Sequence, residues 1–160
     1  MRQIKFRALS MCKGERWVYG DLRHYARNPQ TEKWTIHDPA TGLETDIDET
    51  TVGQFTGLKD KNGKEIYEGD IIKSTDYPYM DEYKLNYLGI VSCDTSYACG
   101  EFYVTLHATK ESEKNGFSDG ITKSFFELHM ENVEVVGNIF DNKGMFRDSD
   151  EKIMQWYLEE

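Results

Sequence analysis

The chain has 160 residues, enough for one domain or one domain with a compact subdomain; a globule of this size buries about two-thirds of its unfolded surface and folds without disulfide or metal staples. Its 19 Lys and Arg stand against 29 Asp and Glu, a net charge of −10, and the bases are scattered singly among acids, which argues against a face built to grip a phosphate backbone. Aromatic residues make up 13%, a composition that packs best on pleated sheet, and the three Pro are too few for a Pro-rich linker.

In chain order, Ile4, Phe6 and Ala8 alternate with Lys5, Arg7 and Leu9, the period of a half-buried strand. Trp17 and Tyr19 alternate with Val18 up to Gly20, so Met11-Cys12-Lys13-Gly14-Glu15 is expected to close a hairpin. Asn28-Pro29 and Asp38-Pro39 start turns, with a short strand, Trp34-Thr35-Ile36, between them. The charge of Glu44-Thr45-Asp46-Ile47-Asp48-Glu49 reads as a solvated connection.

The stretch from Thr51 to Ile72 carries the most information. It reads as a strand, a tight hairpin and a second strand entered at a Gly-Asp step. Asn62-Gly63 suits a type I′ turn, in which both central residues take positive φ. Gly69-Asp70 before Ile71-Ile72 is a pattern also found at the entry to the first long strand of small SH3-like barrels. There the Gly permits a sharp bend and the Asp accepts hydrogen bonds from turn amides.

Further on, Leu88–Cys93, Glu101–Leu106 and Val133–Phe140 are β-like. Residues 74–86, rich in Tyr and acids, and 108–123, rich in Lys, Glu, Ser and Gly, read as hairpin tips or mobile loops. Phe125-Phe126-Glu127-Leu128 is expected to make one helical turn. Asp148 and Glu151 form a capping box at the start of a C-terminal helix whose Ile153, Trp156 and Tyr157 share a face. Such a helix, running to Leu158, is marginal alone. It must dock on its own sheet or on a second copy, and a homo-oligomer is expected.

The sequence assigns no catalytic residue, no cofactor and no metal site. Cys12, Cys93 and Cys99 are odd in number and form no Cys-x-x-Cys pair. Asp60-Lys61-Asn62-Gly63-Lys64-Glu65 lacks the ligand spacing of a calcium loop and reads as a turn. His24, His37, His107 and His129 sit in no catalytic motif and read as partly exposed strand residues. Tyr77, Tyr79, Tyr83 and Tyr87 lie among acids, with Lys73 and Lys84 the only nearby cations, so a protein contact suits them better than stacked bases. Together with Trp156 they are the candidate partner-binding residues. No apolar run near Met1 resembles a signal peptide or a membrane span, which gives the expectation of a cytoplasmic protein with reduced thiols.

Three segments together resemble the YopX-like proteins of phages and prophages: Ile4-Lys5-Phe6-Arg7 with Trp17-Val18-Tyr19-Gly20, the central stretch from Thr51 to Ile72, and Glu134-Val135-Val136-Gly137-Asn138-Ile139-Phe140-Asp141-Asn142. The resemblance covers most of residues 1–142. It implies a phage or prophage origin, hence a host bacterial cytoplasm, and a β-rich fold; it implies no catalytic residues. The expected architecture is mainly β, a β-rich α+β chain: an N-terminal strand assembly over residues 1–55, an SH3-like barrel over 56–142, and the C-terminal helix within 143–160. The expected function is an accessory protein that binds a protein partner, without membrane or nucleic acid. Two alternatives follow from the acids: mimicry that inhibits a basic, nucleic-acid-binding host protein, and a small hydrolase or nuclease whose Asp46, Asp48 and Asp70 hold a metal ion.

Overall fold

The computed structural model describes residues 3–14, 16–26, 32–74, 87–94, 101–108, 121–125, 128–142 and 145. The fold is mainly β: ten strands among the described residues, in two five-stranded antiparallel sheets. The chain divides into two units, Met1–Gly57 and Leu58–Glu160. The expected C-terminal helix from Asp148 lies outside the described residues, as do 75–86 and 109–120.

In the first unit, β1 (Phe6–Ser10) and β2 (Trp17–Tyr25) form the expected hairpin. β2 runs past Gly20 to Tyr25 and pairs with β3 (Lys33–His37). β4 (Glu44–Lys59) then pairs with β3 through Glu44, Thr45 and Asp46, and with β1 through residues from Ile47 to Gln54. The four strands therefore close on one another. A single strand can serve both neighbours because its register with β1 shifts near Asp48. Thr51 fixes that irregularity: its hydroxyl donates to the Asp48 carbonyl at 2.7 Å and accepts from the Leu9 amide at 2.9 Å.

Glu44–Glu49 is thus a strand and not a solvated connection. Thr45 and Ile47 are buried while Glu44, Asp46 and Asp48 are exposed, the alternation of a half-buried strand. Ala8, Ile36 and Ile47 form the centre of this unit's core, with Phe6, Val18 and Val52 packed around it.

In the second unit, β5 (Glu65–Tyr67) pairs back on β4 across the Asp60–Gly63 turn. The turn is not type I′, because among the described residues, Asn62 included, no residue other than Gly takes positive φ. The Gly63 amide donates to the Asp60 carbonyl at 2.9 Å, which makes Lys61 and Asn62 the centre of a type I turn, and Gly63 alone is left-handed at φ +81°. The reason is Asp60. Its Oδ1 accepts from the Asn62 amide at 2.8 Å and the Lys64 amide at 2.9 Å, which fixes the turn from within.

The second sheet has the order β10-β6-β7-β8-β9. Here β6 (Asp70–Ser74), β7 (Tyr87–Asp94), β8 (Glu101–Ala108) and β9 (Ile121–Ser124) run as a meander, and β10 (Val133–Asn138) returns beside β6. The end of the polar stretch 108–123 is therefore strand, not loop. A 3-10 turn, Met130–Asn132, precedes β10; upstream, the Leu128 amide donates to the Phe125 carbonyl at 3.3 Å, while Phe126 and Glu127 of the expected helical turn lie outside the described residues. The middle of the sheet is buried on both faces. Ile72 and Val91 enter the main core with Val104 and Leu106, while Ile71, Ile90 and Ile139 form a smaller cluster.

The Gly-Asp step behaves as its chemistry requires. Asp70 is 1% exposed and its Oδ2 accepts from the Tyr67 amide at 2.8 Å. Gly69 uses both backbone groups in the sheet, donating to Val91 and accepting from Ile139. Asp60 fixes the opposite end of β10: its Oδ2 accepts from the Val135 amide at 3.0 Å.

Candidate binding cleft of the first unit

Antiparallel pairing of β2 and β3 sets His24 opposite Trp34, and both belong to the face that carries Leu22 and Ile36 toward the core. The rings stack with centroids 4.0 Å apart and planes 12° from parallel. Glu32, immediately before β3, places Oε1 2.7 Å from His24 Nε2. Here the apolar face of the sheet runs out past its core. A cleft of about 440 Å³ results, and its described lining is Leu22, Trp34 and Val52 with the carboxylates of Glu32 and Glu49. Such a volume lies in the ordinary range of small-ligand and side-chain pockets.

The opposite face of the same strands is a ladder of paired charges. Arg23 meets Glu44 at 3.4 Å, Lys33 meets Asp46 at 2.8 Å, and the Thr35 hydroxyl donates to Glu44 at 2.7 Å. Hydrogen bonds from Thr35 and then Tyr25 hold the Glu44 carboxyl below its usual range. The hydrogen bond to Asp46 raises Lys33. These groups are solvated, and such pairs set register more than they stabilise. The lining of the cleft differs: among the described residues Glu49 has no hydrogen bond or ion pair, and Glu32 has only His24.

The candidate residues named from sequence fall elsewhere. Tyr77, Tyr79, Tyr83 and Trp156 lie outside the described residues. Tyr87 opens β7 with 1% exposure, inside the main core of the second unit, so its role there is packing rather than presentation. His107 is likewise a core residue at 2% exposure, not a partly exposed one. His37 faces Asp21 across the strand pair at 3.7 Å.

The three carboxylates considered for a metal ion each have structural partners. Asp46 accepts from Lys33, Asp48 from the amide and hydroxyl of Thr50, and Asp70 from the Tyr67 amide. Among the described residues no three His, Cys, Asp or Glu gather at metal-binding distance, and no helix is long and apolar enough to cross a membrane.

Sequence reasoning passed over His24, Trp34, Glu32 and Glu49. The signal was the alternation of Val18, Gly20, Leu22 and His24, which carries β2 beyond Gly20, where its pairing with β3 sets His24 opposite Trp34.

Residues 5–146 match the family described as YopX protein. Among solved structures, the chain is similar to the crystal structure of protein EF1440 from Enterococcus faecalis, with 23% identity over 92% of this chain and 100% of that one and a TM-score of 0.47. No curated protein matches.

Proposed function

The chain belongs to the YopX protein family, and from that premise we propose that it is a phage or prophage accessory protein that binds a protein partner and catalyses no reaction. The observation that carries the reading is the His24–Trp34 stack at the edge of an apolar cleft rimmed by Glu32 and Glu49. A partly exposed Trp held rigid by a stacked neighbour is the kind of anchor on which protein interfaces concentrate their energy. In this reading the second unit is an SH3-like barrel. A four-strand meander, a 3-10 turn and a fifth strand returning to the first support it. The host bacterial cytoplasm is the proposed location, supported by an odd set of cysteines without a paired motif.

The test is capture from host lysate with the full chain and with Glu49→Lys. Glu49 is exposed and has no described partner, so the variant is expected to melt with the wild type. It is expected to lose at least about tenfold in affinity for the captured protein. Equal capture by both proteins would remove the cleft from the reading.

Self-association through the C-terminal segment is part of the same proposal, supported by the apolar stripe of Ile153, Trp156 and Tyr157. Sedimentation at micromolar concentration is expected to give a dimer for the intact chain and a monomer for Trp156→Ala. A monomer in both would leave that stripe an intramolecular contact.

A further inference from the structure

Resting on the binding reading above, we infer that the cleft receives the guanidinium of an arginine side chain from the partner protein. The cleft offers three things at once: an indole whose ring is held by His24, apolar walls from Leu22 and Val52, and two carboxylates. Glu49 has no counter-charge among the described residues, and Glu32 shares only the imidazole of His24.

Four of the unit's described cations are engaged elsewhere. Lys33 is on Asp46, Arg23 is on Glu44, Arg7 lies 4.7 Å over the Trp17 ring and Lys5 lies 5.1 Å over the Phe55 ring. The cleft is therefore a negatively lined aromatic pocket with no lysine or arginine of its own among its described lining.

A cation fits that lining, and a phosphate does not, since two carboxylates repel it and a net charge of −10 repels it at longer range. Of the cations a protein presents, guanidinium matches the combination best. It is planar and weakly hydrated, stacks flat on an indole and bonds a carboxylate through two N–H groups. An ammonium is a strongly hydrated point charge that gains less from the aromatic wall. The chain's own Arg7–Trp17 contact uses the same chemistry internally.

The experiment titrates the isotope-labelled full chain, observed by NMR, with four blocked probes: acetyl-arginine amide, acetyl-lysine amide, acetyl-norleucine amide and a glycine pentapeptide with one central arginine. Both arginine probes are expected to shift the Trp34 indole N–H and the Glu49 amide saturably, with the peptide binding at least as tightly as the single residue. Lysine is expected to bind several-fold more weakly, and norleucine not to saturate. E32Q/E49Q is expected to weaken the arginine probes about tenfold. Should that pair disturb folding, E49Q alone carries the same comparison.

Lysine equal to arginine, or norleucine equal to either, overturns the guanidinium assignment. So do arginine shifts that survive E32Q/E49Q, and so does a single residue that binds far more tightly than the peptide, which marks a small-molecule site. If the probes fail while Glu49→Lys still abolishes capture, the binding reading stands and only its arginine ligand falls.

Discussion

Asp60→Ala is expected to cost about 3–5 kcal/mol, from the loss of charge-assisted hydrogen bonds and the exposure of their donors. One carboxylate holds the Asn62, Lys64 and Val135 amides at 2.8, 2.9 and 3.0 Å, and the residue is 6% exposed. Truncation releases the turn and the end of β10 together. Hydrogen exchange on the variant is expected to show lost protection in β6 and β10 while β1–β4 keep theirs.

The same group carries an acid dependence. Burial alone would raise the Asp60 carboxyl, but the amides of Val135, Lys64 and Asn62 outweigh it and hold the carboxyl below its usual range. A depressed folded value means that the unfolded chain binds the proton first. The stabilisation is therefore complete above the unfolded value of about 4 and fades as pH falls through the lower folded one. Urea melts of wild type and Asp60→Ala are expected to converge across that interval. A difference between them that stays constant with pH would show that packing, not charge, supplies the effect.

Gly20→Ala is the second large effect expected, about 3 kcal/mol or more. Gly20 has φ +155°, and a Cβ there would lie 2.1 Å from the His37 carbonyl oxygen and 2.8 Å from its carbon. The obstacle is backbone, so a change of side-chain rotamer cannot relieve it. The β2–β3 pairing that sets His24 against Trp34 must open instead. Lost exchange protection should concentrate in β1–β4, the reverse of the Asp60 variant, with the Trp34 indole signal displaced. Wild-type stability in Gly20→Ala would mean that the strands separate at that point without cost.

Much of the β content was legible because it depends on local rules. The β1–β2 hairpin, the strands around Ile71, Ile90, Val104 and Val135, and the Gly69-Asp70 bend follow from alternation and turn chemistry. The errors share a cause. Glu44–Glu49 was read by its charge, although Thr45 and Ile47 keep the period of a strand whose other face is a ladder of ion pairs. The turn at Asn62-Gly63 was read from the dipeptide, although the preceding Asp60 decides its geometry. The cleft was not legible, because it needs a register between residues 24 and 34 that only the length of β2 fixes. Tyr87 looked like part of an exposed tyrosine series, but it falls where β7 has begun and the core takes it.

The two units also differ in when they can be finished. Every pairing that closes β1–β4 lies within the first 57 residues, so a chain emerging from the ribosome can complete that set while the rest is still being made. The second unit has no such early closure. Its last described strand bonds β6 and Asp60, and the Asp60–Val135 bond spans 75 residues of chain. Until β10 arrives, Ile72, Val91 and Val104 lack Val133 and Val135, and β6 shows an unpaired edge to the cell. That interval of synthesis is where chaperones, proteases and strand-to-strand aggregation have access to this protein.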